Sequence, residues 1–138
     1  MFRWGLMGSG FISSQFARGI EDINGAEVYA VASISGKNPY GICAEKYYGD
    51  YETLVQDSKI DAVYVGTIHP QHFSCVKLCL MAGKPVLCEK PIALNSVQLK
   101  EMVKLAEENH TFFMEAVWTR YLPAARYMRD ILREESFG

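Results

Sequence analysis

Long apolar runs are missing from this chain. Nothing approaches the roughly 18–20 consecutive apolar residues that a membrane-spanning helix needs. A surplus of one charge is missing too. Fourteen Lys and Arg stand against sixteen Asp and Glu, a net charge of −2. No basic excess recruits a polyanion, so nucleic acid is not an expected partner. Cysteine is sparse: Cys43, Cys75, Cys79 and Cys88 sit among ordinary apolar neighbours and are expected to be reduced and structural. No repeat, low-complexity tract or linker breaks the pattern. The opening MFRWGLMGSG has one basic residue and a short apolar stretch, which does not read as a secretory leader, so the expected compartment is the cytoplasm. What remains is the composition of one globular domain: 138 residues, 49% apolar and 22% charged.

Short apolar runs alternate with longer amphipathic ones. Phe2 to Met7, Val28 to Ala32, Asp61 to Thr67, Pro85 to Cys88 and Thr111 to Ala116 read as five strands, largely without polar alternation. Helices are expected over Ile12 to Glu21, Pro39 to Tyr48 (with Asn38 as cap), Tyr51 to Gln56, His72 to Met81, and Tyr121 to Arg133. Another helix is expected after Ser96, its cap, with Leu99, Met102, Val103 and Ala106 on one face. Strands buried on both faces, alternating with helices, require parallel pairing with helical crossovers. The expected fold is therefore α/β, an open, doubly wound parallel sheet of the Rossmann kind.

The first strand runs into Gly8-Ser9-Gly10-Phe11-Ile12-Ser13, a G-x-G-x-x-S pattern opening a helix inside a βαβ unit. Gly8 suits a tight turn, and Gly10 lets the backbone approach a pyrophosphate. The helix N-terminus offers free N–H groups to that anion. Ser13 replaces the third glycine, which predicts a helix slightly farther from the sheet. The alternative reading is a glycine turn that binds nothing. At the end of the second strand, an acid would hold a ribose 2′-OH and a basic residue would accept a 2′-phosphate. Here stand Ser33-Ile34-Ser35-Gly36-Lys37. The acid is absent, so the hydroxyls and Lys37 favour NADP over NAD, unless Lys37 is simply a solvated loop lysine.

The fourth strand ends in Cys88-Glu89-Lys90-Pro91. The carboxyl ends of parallel strands face the ligand crevice, so Lys90 is placed to meet a ribose or a substrate hydroxyl and is the candidate catalytic residue. Taken together, GSGFIS, DAVYVGTIHPQH, AGKPVLCEKPIALN and MEAVWTRYLPA resemble the glucose–fructose oxidoreductase/inositol dehydrogenase/MocA family from Phe2 to about Arg133, with the last segment most like its dihydrodiol and aldose dehydrogenase branch.

The resemblance implies a nucleotide-binding domain over residues 1–120, with 121–138 leading toward a second domain that family members carry and this chain lacks. Gly8, Gly10, Phe11 and Ile12 would hold the pyrophosphate of NAD or NADP. Thr67, Ile68 and His69 would lie along the adenine-side ribose and pyrophosphate, with His72 close by. Glu89 and Lys90 match a pair whose lysine meets the nicotinamide ribose and the reacting hydroxyl. Trp118 and Arg120 match positions near the nicotinamide. Where family members often carry an arginine that stacks on adenine, this chain has Ile34. The implied activity is hydride transfer between a nicotinamide coenzyme and a sugar, polyol or diol, with weak coenzyme binding and little turnover by this chain alone. A homodimer is expected from its exposed apolar flank. A non-catalytic nucleotide-sensing module is the alternative. His69, His72, Cys75 and Cys79 have a spacing conceivable for zinc, but two already have a place beside the coenzyme and helix cysteines are usually core, so no metal is expected.

Overall fold

The computed structural model describes residues 1–133; the expected continuation over residues 134–138 lies outside the described residues. The strands are β1 (Phe2–Met7), β2 (Ala26–Ala32), β3 (Lys46–Tyr48), β4 (Ala62–Val65), β5 (Val86–Glu89) and β6 (Phe113–Ala116). They form one sheet in the order β3-β2-β1-β4-β5-β6, and every neighbouring pair is parallel. The helices are α1 (Phe11–Glu21), α2 (Tyr51–Gln56), α3 (His72–Met81), α4 (Ser96–Glu108) and α5 (Pro123–Arg133). This is the expected doubly wound fold, with a sixth strand.

Successive residues of each inner strand feed opposite faces. Met7, Ala30, Ala32, Val63, Val65, Val86 and Cys88 point into one core with α2, α3 and α4. Leu6, Val31 and Tyr64 point into a smaller core with Ala17 of α1 and Ile42. The two faces are unequally covered. Leu87, Met114 and Ala116, on the α1 side, line an apolar cleft instead of meeting a second helix.

The helix expected over 39–48 does not form. Asn38 bonds both ways to the Ile42 backbone, accepting its N–H at 3.0 Å and donating to its carbonyl at 2.9 Å. Gly41 sits at φ +61°, and the Tyr47 hydroxyl donates to Ile42 O and accepts the Ala44 N–H. A side chain that pairs with backbone four residues on competes with a helix rather than starting one. The segment instead delivers β3 to the sheet edge beside β2.

Three smaller expectations also change. The cap of α4 is Asn95, which accepts from the Val97 and Gln98 N–H groups, not Ser96. Leu99 and Val103 face solvent, and Met102 with Leu105 and Ala106 makes the packed face. Cys43 is exposed, whereas Cys75, Cys79 and Cys88 are buried free thiols.

Ser13 is accommodated by space taken from the opposite side. Its Oγ is buried against Gly66, just past β4, where a Cβ would overlap that oxygen and come within 2.8 Å of the Tyr64 ring. The glycine that close helix–strand packing requires has moved from the helix to the strand. Gly66→Ala is expected to cost about 1–3 kcal/mol by overpacking, and Ser13→Gly to recover part of it, with a coupling of about 1 kcal/mol in a urea-denaturation cycle. Strict additivity would contradict the packing described.

β3 is pinned by Tyr48, whose Oη donates to Asp57 at 2.6 Å. That bond holds the Asp57 carboxyl below its ordinary range and is the largest reason the Tyr48 phenol is pushed up to about 12. The lowered carboxyl stabilises the fold at neutral pH and stops doing so as pH falls through its folded value. The raised phenol stabilises it below about pH 10 and stops as pH rises through about 12. The pair is half-buried, so Tyr48→Phe is expected to cost about 1 kcal/mol at pH 7. The gap from the native protein should narrow toward pH 3 in denaturation at several pH values; a gap constant with pH would contradict this pairing.

Candidate functional site

Winding reverses between β1 and β4, which are adjacent in the sheet. In such sheets a crevice opens beyond the carboxyl ends of the strands at that point. The loop from β1 to α1 lies there. Gly8 has φ +90°, and a Cβ on it would stand 3.0 Å from Gly66 O, so both conformation and space require glycine. Gly10 differs. It is the N-cap of α1 in extended backbone, φ −76°, without a side-chain cap bond, and a Cβ there would meet nothing within 4 Å. Neither conformation nor space within the fold requires glycine at this position. The first N–H groups of α1 have no intrahelical acceptor and carry the positive end of the helix dipole.

On one side of this loop lies a cleft of about 510 Å³, which brings together Gly8, Gly10, Ser33, Ile34, Lys37, Thr67 and Ile68. Ser9, Ser35, Gly66 and Gln71 share it. Hydroxyls organise its far end: Ser9 Oγ donates to Lys37 O at 2.6 Å and lies 3.1 Å from Ser33 Oγ, which is 3.2 Å from Ser35 Oγ. Phe11 stands exposed nearby, edge-on to Tyr40 at 5.8 Å.

On the other side lies the apolar cleft, about 520 Å³, lined by Ile12, Phe16, Leu87, Met114 and Trp118 among others. Glu89 reaches into it from the end of β5. Lys90 is not there. It is exposed, precedes a cis peptide to Pro91, and shares a third cleft with Glu115 and Trp118. Arg120 lines a fourth with Tyr121, Arg126 and Arg129. Trp118 therefore borders both the apolar cleft and the Lys90 cleft, while Arg120 stands apart.

His72 is 2% exposed and lines none of these clefts. Its Nδ1 faces Pro91 O at 2.9 Å and its Nε2 faces Thr67 O at 3.1 Å. A neutral imidazole donates to one of the two. The ring lies between the loop after β4 and the loop after β5, and its hydrogen bond goes to one of these carbonyls. His69 packs edge-on against it at 5.4 Å, with a buried Nε2 that finds no partner among the described residues. His72, Cys75 and Cys79 are all buried, and burial pushes the two thiols up, so these side chains belong to the core.

Sequence reasoning missed Gly66, Ser9 and Tyr64. Gly66 carried a signal, since a glycine ending an apolar strand marks close approach. Tyr64 carried none, because a tyrosine in a buried strand reads as packing.

The residues present suit a dinucleotide: two clefts of about 510 and 520 Å³ flank a helix N-terminus without a side-chain cap. Comparison with known proteins agrees. Residues 2–117 match the model of an oxidoreductase family with an NAD-binding Rossmann fold. The chain is 42% identical over 142 residues to trans-1,2-dihydrobenzene-1,2-diol dehydrogenase of Bos taurus, covering 99% of this chain and 42% of that protein. It is similar in structure to an NAD-binding oxidoreductase from Klebsiella pneumoniae, at a TM-score of 0.91 and 30% identity, covering 99% of this chain and 40% of that one. A 3-ketoreductase from Actinomadura kijaniata, solved with NADP, superimposes at a TM-score of 0.86 and 28% identity over 96% of this chain and 44% of its own. The chain thus spans less than half the length of these relatives. By fold, phosphate loop and the match over residues 2–117, it belongs to the glucose–fructose oxidoreductase/inositol dehydrogenase/MocA family of oxidoreductases.

Proposed function

We propose that this chain is the coenzyme-holding part of an oxidoreductase that moves hydride between a nicotinamide coenzyme and a hydroxyl-bearing carbon of a sugar, polyol or diol. The observation that carries the reading is Gly10, where an uncapped helix mouth keeps clear the volume that a Cβ would enter. Backbone N–H groups at that mouth suit a pyrophosphate. The likeness to dihydrodiol dehydrogenases supports a vicinal diol.

In this reading the adenosine half lies along Ser33, Ile34, Thr67 and Ile68, and the nicotinamide half lies toward Ile12, Glu89 and Trp118. His69 and His72 shape the wall from behind. The end of β2 offers Ser33, Ser35 and Lys37 and no carboxylate, which suits a 2′-phosphate, so the proposed coenzyme is NADP in preference to NAD. When bound, the coenzyme supplies or accepts the hydride. Lys90 orients the substrate hydroxyl and takes up or returns its proton at Nζ. Trp118 packs beside the reacting ends, and Arg120 stands at the substrate side.

Residues 1–120 form the nucleotide unit, and from residue 121 the chain leads toward a second domain. The support is α5, whose Tyr127, Met128 and Leu132 remain exposed. The same exposed surface supports a homodimer. Among the described residues no helix is long and apolar enough to cross a membrane, and free thiols support a cytoplasmic location. Both clefts are open, so hydride transfer by this chain alone should be slow, since the reaction needs water excluded.

Coenzyme-fluorescence titrations test the assignment. Gly10→Ala should melt like the native protein yet lose about tenfold or more in affinity, because the added methyl meets the ligand and not the fold. Lys37→Ala should weaken NADPH about tenfold and leave NADH unchanged. Undiminished binding by Gly10→Ala would overturn the reading. Binding without turnover in the full-length protein would favour a nucleotide sensor.

A further inference from the structure

Glu89 is the one charged side chain among the described residues lining the apolar cleft. It is 7% exposed. Its Oε1 accepts a hydrogen bond from Tyr64 Oη at 2.7 Å, and its Oε2 accepts one from the Lys90 backbone N–H at 3.1 Å. The first anchor is rigid. Tyr64 is 2% exposed, and its ring stacks on Phe16 with centroids 4.0 Å apart. Burial, then the bond to Glu89, push its phenol above its ordinary range, so it remains a donor.

Among the described residues no cation forms a salt bridge with this carboxylate. Lys90 is exposed and lines the neighbouring cleft, where Glu115 is the other charged residue. The described salt bridges all lie elsewhere. A carboxylate set in apolar walls without a counter-ion is costly, and its environment discriminates strongly between charged and neutral ligands.

The inference rests on reading the apolar cleft as the nicotinamide end of the site. The nicotinamide ring is cationic in the oxidised coenzyme and neutral in the reduced one. We propose that Tyr64 is a positioning residue that holds Glu89 toward that ring, and that the pair makes the site favour the oxidised coenzyme. Coulomb attraction acts on the oxidised form alone, and apolar walls strengthen it. The charge change is the same for NAD and NADP, so the selection acts on redox state and is independent of the 2′-phosphate. It works separately from Lys90, whose partner is the substrate hydroxyl.

Calorimetric titration of the 138-residue chain with the oxidised and reduced forms of one coenzyme tests this. Glu89→Gln removes the charge and, with its oxygen toward Tyr64, keeps that bond while giving up the acceptor facing the Lys90 N–H. It should shift the ratio of the two dissociation constants about tenfold toward the reduced form, with the reduced form's own constant changed less than about threefold. Tyr64→Phe should shift the ratio several-fold in the same direction. A structural role alone would weaken both forms together and leave the ratio unmoved. If Tyr64→Phe fails to fold, Glu89→Gln carries the test. An unchanged ratio in a variant that still binds both forms overturns this inference and leaves the coenzyme site standing. Absence of binding of either form to the native chain overturns both.

Discussion

The close approach of α1 to the sheet at the reversal of winding governs this molecule. Parallel strands cannot be joined without crossovers, and where the crossovers change face, no loop closes the crevice. A helix starting there must lie tight against the strands to aim its N–H groups outward. Gly8 supplies the turn, and Gly66 yields the volume that Ser13 occupies. Replacing the third glycine of the loop with serine would ordinarily lift the helix. Here the same contact is met by removing a side chain from the opposing strand.

Unequal coverage of the sheet follows from the same layout. Three helices close one face, while α1 and the loop carrying Ile42 close part of the other. Beyond α1, the strands β4, β5 and β6 present an apolar wall with a carboxylate set into it. The polar cleft and the apolar cleft thus flank one helix mouth and differ in chemistry, as the two ends of a dinucleotide differ. His72 packs between the carbonyls of Thr67 and Pro91, where the two strand-end loops meet.

Much of the fold was legible because its signals are local. Phe2–Met7 and His72–Met81 read correctly from apolar runs and a glycine stop, and they coincide with β1 and α3. The segment 38–48 misled because Asn38-Pro39 is also a helix start; the choice was made by Ile42 four residues on and by a tyrosine hydroxyl five residues beyond that. Gly8, Gly10, Ser33, Ile34, Lys37, Thr67 and Ile68, singled out in the sequence, share one cleft because the ends of parallel strands converge there. Of the apolar cleft, Ile12, Glu89 and Trp118 were named from the resemblance, and the rest of its wall was not. Leu87, Met114 and Ala116 look like core in sequence, and only the sheet's uneven covering makes them a cleft wall. The resemblance set His72 beside the coenzyme, whereas its two carbonyl contacts are long-range facts of packing.

The central claim is that backbone N–H groups at the start of α1 receive a diphosphate. Amide chemical shifts followed during titration with ADP-ribose, which lacks the nicotinamide, address it directly. The account predicts the largest shifts at Gly10, Phe11 and Ile12, with smaller ones at Ser33 and Thr67. Shifts concentrated elsewhere, for instance along the groove between Val103 and Phe113, with the glycine loop unmoved, would contradict it.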